Sequence, residues 1–361
     1  MLYIGTDLGI YRWFSGTPWP IFHSLQGRAI VSLVAPGGGV LVALDDGARV
    51  WESLNNGIDW RSVPAPDGAG RATTLAWVEG GEVVLATARP MGLYRRPIGL
   101  ASATDAPAAF SRAKKLEDAV IGRARTLAAR IRGVSGTTAT LERPATVNLH
   151  GWVPMANPAA ESAALPAEVR LIAHDAGTLY AAVTGAGLWK SDDLGGSWSR
   201  LPGLPDDVYA VRFAGKMVVA GTSGGVWISG DGGHTWADSS VGLENARQVR
   251  ALDIKPTDPK VLLAGAAPVG AGEGPIADRG GLRFALYESK DAGKTWKHVT
   301  RGFPELLESD SIADIRYLPE DPTYAAIALA SGEMWNTNAD GLWWEPLARQ
   351  IRGARAMCVA P

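Results

Sequence analysis

Five arginines hold what reads as one recurring place in this chain. Arg28, Arg71, Arg170, Arg250 and Arg355 each stand immediately before a short apolar run, while Asp207 and Ser311 take the matching place before two more such runs. A guanidinium is a planar fork of donors suited to carboxylates and phosphates, so five of them brought to one opening would make an anion-binding ring. The other reading of the same residues is structural, each arginine bridging to carbonyls or carboxylates of the neighbouring repeat. Glycoside cleavage would instead need two carboxyls about 5 to 9.5 Å apart. Candidates are Asp7, Asp45, Asp46, Asp206, Asp207, Asp310 and Glu333 in turns, with Asp175, Asp253 and Asp314 inside the apolar runs. None belongs to a catalytic motif, and each reads first as a loop cap or a solvated turn residue.

Other chemistries find less support. His23, His150, His174, His234 and His298 show no metal-ligand spacing, and a single Cys358 excludes a disulfide framework and Cys-rich zinc sites. Gly37-Gly38-Gly39 joins two strand-like runs and precedes no helix, so it is not a phosphate-cradling loop. No catalytic residue, metal or cofactor is assigned. With 35 basic against 37 acidic residues there is no global pull toward nucleic acid.

The elements that would position these residues are set by a repeat. LWKSDDLGGSW, closing at Trp198, returns as VWISGDGGHTW closing at Trp236 and as LYESKDAGKTW closing at Trp296. Inside it lies Ser-x-Asp-x-Gly-x-Ser/Thr-Trp, carried by Ser191, Asp193, Gly195, Ser197 and Trp198, by Ser229, Asp231, Gly233, Thr235 and Trp236, and by Ser289, Asp291, Gly293, Thr295 and Trp296. Such a segment suits a hairpin turn: the glycine takes positive φ, the carboxylate and hydroxyls satisfy turn amides, and the Trp anchors the next strand. The pattern resembles the Asp-box, or BNR, repeat of sialidases, sortilin-type receptors, xyloglucanases and the photosystem II assembly factor family. That resemblance implies a β-propeller in which the box turn is a folding device on the face opposite the ligand. It also implies an Arg-rich channel face, as in the assembly factors. The Arg-Ile-Pro sequence and the Tyr-Glu nucleophile arrangement of sialidases find no match here.

A relaxed pattern gives seven units, at Ile10, Val50, Leu93, Leu188, Val226, Leu286 and Met334, each after a strand of small apolar residues. Six have a further strand upstream. The seventh lacks one before Leu2 and finds it at the other end, in AMCVAP from Ala356. The expected fold is therefore all-β: a seven-bladed propeller of four-stranded antiparallel blades, residues 1–361 as one domain, closed by the C-terminal strand in the first blade.

Two units depart from the repeat. The sixth carries a long loop from Ala267, and the third has a helical insertion within residues 97–150. From Pro107 the apolar residues Phe110, Ala113, Leu116, Val120, Ala124, Leu127 and Ile131 recur at the spacing of an amphipathic helix. Its polar face is basic, with Arg112, Lys115, Arg123 and Arg130 as candidate partner contacts. Beyond it Trp152 takes the role of the lost box Trp. A basic amphipathic helix fits an acidic protein surface or an anionic membrane, and the stripe's lack of Trp and of multiple Phe or Leu favours the protein. The N-terminal residues read directly as a strand, with no signal-like segment, and no apolar run reaches about 18 residues, so a cytoplasmic protein is expected, with an exported one whose signal has been removed as the alternative. Two functions stay open: a non-catalytic propeller docking a protein partner or anionic segment on its channel face and basic helix, which is favoured, or an Asp-box hydrolase or lyase acting on carbohydrate.

Overall fold

The computed structural model describes residues 1–361 except 16–19, 48, 67–70, 79–80, 89–91, 99–150, 156–167, 244–245, 268–282, 300, 305–306, 309, 339–342, 349–350, 352, 355 and 360–361. The expected inserted helix, with Arg112, Lys115, Arg123 and Arg130, lies outside the described residues, as do Arg355 and the long loop of the sixth unit. No helix occurs among the described residues.

Seven antiparallel sheets follow one another along the chain. The first contains β1 (Leu2–Thr6), β2 (Gly9–Trp13) and β3 (Ile21–Ser24), and the second β4 (Ile30–Gly37), β5 (Val40–Asp45), β6 (Arg49–Ser53) and β7 (Arg61–Pro64). The third contains β8 (Arg71–Val78), β9 (Glu82–Ala88), β10 (Gly92–Pro97) and β11 (Val153–Pro154). Blade 4 is β12 (Val169–Asp175), β13 (Thr178–Val183), β14 (Gly187–Ser191) and β15 (Ser199–Arg200), and blade 5 is β16 (Val208–Ala214), β17 (Met217–Thr222), β18 (Gly225–Ser229) and β19 (Ala237–Asp238). Blade 6 is β20 (Gln248–Ile254), β21 (Leu262–Ala267), β22 (Arg283–Ser289) and β23 (Lys297–His298), with β24 (Leu307–Glu308) paired to β22. Blade 7 is β25 (Ile312–Tyr317), β26 (Ala325–Leu329), β27 (Met334–Asn338) and β28 (Trp343–Ala348). The last strand, β29 (Ala356–Val359), pairs with β1 through Leu2↔Val359, Ile4↔Met357 and Gly5↔Ala356, and so supplies the innermost strand of blade 1. This closes a seven-bladed propeller and removes the free edges that an open array would leave.

The core lies between blades. Seven apolar clusters each draw on two successive blades: one joins Leu286 and Phe303 of blade 6 to Ile312, Ile315 and Ile327 of blade 7, and another joins Ala326 and Met334 of blade 7 to Leu2, Ile4 and Met357. The second strand of each blade is covered on both faces by neighbouring blades, which is why VLVAL, MVVAG and AAIAL read as unbroken apolar runs.

Candidate functional site

Antiparallel four-stranded blades put the turns between second and third strands, and the links into the next inner strand, at one end of the ring. The box turns between third and fourth strands lie at the other end. In the three boxes the Ser hydroxyl donates to the Asp carboxylate at 2.7–2.9 Å and accepts the Gly N–H at 2.7–2.8 Å. The carboxylate in turn accepts the backbone N–H and the hydroxyl of Ser197, Thr235 or Thr295 at 2.6–2.9 Å. Donation from Thr295 first, then from Ser289, holds Asp291 down at about 2, and the same bonds from Thr235 and Ser229 depress Asp231.

Blade 2 contains a fourth copy that the Ser-x-Asp pattern does not find. Ser53 donates to Asn55 Oδ1 (3.0 Å) and accepts Gly57 N–H (2.8 Å), while Asn55 Nδ2 donates to Asp59 (2.8 Å). Carboxylate and donor have changed places. Blade 3 has no box: Arg96 stands where the Ser would be, and Trp152, fully buried, donates its indole N–H to Pro64 O of blade 2 at 2.9 Å. Trp296 reaches Ser239 O of blade 5 in the same way at 2.7 Å, whereas Trp60 and Trp236 donate to Gly57 O and Gly233 O of their own turns at 2.9 and 3.0 Å; Trp152 immediately precedes β11 as Trp296 precedes β23.

At the opposite end the arginines divide. Each inner strand from β4 to β25 carries a β-bulge after its first or second paired residue, and the extra residues are Val31, Thr73, Arg170, Tyr209, Arg250 and Ala313. Arg170 and Arg250 are therefore bulge residues, Arg71 precedes the residue that leads its bulge, and Arg28 lies one position further back. Asp207 and Ser311 match Arg71. The five arginines do not share one equivalent position, because the start of an apolar run is not the start of the ladder, and each bulge adds a residue that resets the alternation.

The bulges of three successive blades bring together a different group. The Arg170 Cζ lies 4.6 Å from the ring centre of Tyr209, and Arg250 approaches the same ring at 5.6 Å and Phe284 at 5.9 Å. Gln248 Nε2 donates to the Tyr209 hydroxyl at 3.3 Å. Sequence reasoning missed Tyr209 because it stands where its neighbours have arginine. Arg71 is exposed. Arg28 stacks on Trp51 at 4.0 Å and pairs with the buried Asp45 at 3.4 Å, beside a pocket of about 430 Å³ that also receives Asp7, Asp46 and Arg49.

Of the candidate acids, the structure ties most to the backbone or to arginine. Asp45 accepts Arg49 N–H and the Trp51 indole, each at 2.9 Å. Asp206 pairs with Arg200, Asp207 accepts Gly185 N–H (3.3 Å), and Asp310 accepts the N–H groups of Ser311 (2.7 Å) and Ser331 (3.1 Å). Asp253 and Asp314 come together in the channel wall, bridged by Arg212 at 3.0 and 3.3 Å, with Arg316 on Asp314 at 3.1 Å. Burial pushes both carboxyls up, Asp314 to about 7, against the pull of Arg212. Among the described residues no group of three His, Cys, Asp or Glu is placed to hold a metal ion, and no helix is long and apolar enough to cross a membrane.

No family model and no curated protein matches the sequence. Solved structures do match the fold. YCF48 bound to a D1 peptide is 15% identical, with TM-score 0.54 over 93% of this chain and 87% of that one. YCF48 from Cyanidioschyzon merolae is 13% identical, with TM-score 0.53 over 91% and 87%. The GH74 xyloglucanase from Xanthomonas campestris is 14% identical, with TM-score 0.55 over 94% of this chain and 47% of its own length. This chain thus spans about half of that enzyme. At these identities the likeness is one of fold.

Proposed function

We propose that this chain is a non-catalytic binding propeller of the Asp-box type, docking an anionic segment of a protein partner on its bulge-lined face. The observation that carries the reading is the stack of Arg170, Tyr209 and Arg250 across three adjacent inner strands. Stacking fixes the plane of a guanidinium, which is what forked recognition of carboxylates requires. The exposed Arg71 adds to the basic character of that face, and Arg28, Arg355 and the basic segment with Arg112, Lys115, Arg123 and Arg130 are further proposed contacts. The same fold holds a peptide in YCF48.

The hydrolase reading is less well supported. A glycosidase needs one carboxyl to deliver a proton and another to attack or to activate water, whereas Asp253 and Asp314 are locked on one guanidinium and on backbone N–H groups of blade 7 and β29. The test is fluorescence anisotropy with a fluorescein-labelled hexaglutamate peptide. Binding should weaken steeply with salt and fall at least tenfold in the Arg170→Ala/Arg250→Ala variant at unchanged melting temperature. Unchanged affinity would refute the proposal, as would release of reducing sugar from a polysaccharide in a reaction lost on Asp314→Asn.

A further inference from the structure

The blades differ in how their outermost strands are protected. In blades 3 to 6 these strands are two residues long, too short to template another chain. In blade 2, β7 opens with Arg61 and ends with Pro64, and in blade 7, β28 contains Glu345 and Pro346. Charge and proline both discourage edge pairing. The outer strand of blade 1 has neither within it; Pro20 stands just before it and one bulge falls at His23. β3 reads Ile21-Phe22-His23-Ser24, pairs among the described residues only with β2, and exposes Ile21 by 44% and Phe22 by 41%.

Beside this edge, between blades 1 and 2, runs a groove of about 620 Å³ lined by Arg12, Phe22, His23, Ser24, Ile58 and Trp60 among others. Ile58, on the box turn of blade 2, is 77% exposed. His23 sits against Asn56 O at 2.7 Å, and burial lowers its pKa, so the imidazole is neutral at neutral pH. Arg12 is then the groove's cation. Its Nε and the Ser24 Oγ lie buried with no hydrogen-bond partner, and no carboxylate lines the groove.

We propose that β3 and this groove receive an extended segment of a partner protein that adds as a fifth strand to blade 1, lays apolar side chains on Phe22 and Ile58, and sets a carboxylate on Arg12. Each part of the surface asks for one part of that ligand: a strand edge for main-chain hydrogen bonds, exposed Ile and Phe for apolar contact, and the half-buried Arg12 guanidinium in the groove for an acid. A second copy of this chain fits poorly, since among the described residues this surface offers no carboxylate to meet the Arg12 of another copy. The surface is separate from the Arg170–Tyr209–Arg250 group, so the two can be tested apart.

The probe is a displayed random heptapeptide library, selected against the whole chain in the presence of excess hexaglutamate. Enriched peptides should carry an Asp or Glu among β-branched or aromatic residues. Fluorescein-labelled versions should bind at least tenfold more weakly to Ile21→Lys and to Arg12→Gln, and to the wild type when N-methylated at alternate positions. Arg170→Ala/Arg250→Ala should leave their affinity unchanged. Ile21 is exposed, so Ile21→Lys keeps the test valid even if Arg12→Gln melts early. The proposal is overturned if the library yields no peptide, if the selected peptides bind Ile21→Lys as tightly as wild type, or if the wild type is a dimer in solution that Ile21→Lys dissolves.

Discussion

Glu52 of β6 provides the sharpest test of how the blades are held together. Its side chain is buried, and it receives two guanidiniums: Arg96 of the next blade, itself 3% exposed, and Arg61 of β7 at 2.6 Å. Burial lowers Arg96 to about 10, and its Cζ lies 5.9 Å from the ring centre of Trp152. Glu52→Gln keeps the shape and removes the charge, so Arg96 stays buried without the Glu52 carboxylate. Breaking a buried pair on one side costs about 3–5 kcal/mol. At about 2.1 cal/mol/K per residue, a 361-residue chain has an unfolding entropy near 0.8 kcal/mol/K, so a cooperative transition should melt roughly 4–6 °C lower. The double variant Glu52→Gln/Arg96→Met removes both buried charges and should recover most of that loss, because a buried pair replaced by apolar groups is often neutral or better. Calorimetry of wild type, both single variants and the double variant completes the cycle. A Glu52→Gln protein melting within 1 °C of wild type, or a double variant no more stable than Glu52→Gln, would refute the account.

Four further outcomes follow from the same geometry. Deleting residues 354–361 removes β29 and exposes an edge of β1, which should cost several kcal/mol, about half of ordinary domain stability or more; denaturant melts of the truncated chain check this. Ala292 holds φ +60° in the third box, a left-handed strain of about 1–2 kcal/mol; Ala292→Gly should therefore gain up to about 1 kcal/mol after the extra chain entropy of glycine is subtracted, read as a rise of about 1 °C in melting temperature. Gly221→Ala should destabilise, because its Cβ would lie 2.8 Å from the Val249 carbonyl oxygen of the next inner strand; a melting temperature at or above wild type would contradict the packing. Finally, Asp231 and Asp291 have folded-state pKa values lowered from the ordinary 3.8, so their contribution is present above that value and is lost as pH falls through the folded-state value, about 2 for Asp291; melting temperature should drop across that window, and less so in Asp291→Asn.

The architecture was legible because it is repeated. Three intact boxes, seven aromatic-bearing strands and an orphaned AMCV run at the far end required a closed ring of seven, and the ladder Leu2↔Val359 completes it. What stayed hidden depends on partners rather than residue types. Ser53-Asn55-Gly57-Asp59-Trp60 forms the same kind of hydrogen-bonded turn, yet it departs from the pattern at two positions because an amide donating to a carboxylate replaces a hydroxyl donating to one. The arginines looked equivalent because each stands beside an apolar run. The bulges, invisible in composition, place Arg170 and Arg250 in line with Tyr209 and leave Arg28 and Arg71 elsewhere.

The channel wall shows why buried acids in a propeller need not be catalytic. Innermost strands of adjacent blades do not pair with one another, so their inward N–H and C=O groups face the channel without a ladder, and an unsatisfied buried amide is costly. Side chains make the missing bonds across blades. Asp253 of blade 6 accepts Tyr317 N–H of blade 7 at 2.8 Å, and Asp314 of blade 7 accepts Met357 N–H of β29 at 3.3 Å, while Arg316 donates to Met357 O at 3.2 Å. Arg212 of blade 5 bridges both carboxylates. Two acids and two arginines thus run from blade 5 through blades 6 and 7 to the strand that closes the ring. A carboxylate recruited to protonate or attack a substrate would have to leave that chain of contacts, and leaving it would unstitch the closure on which the fold depends.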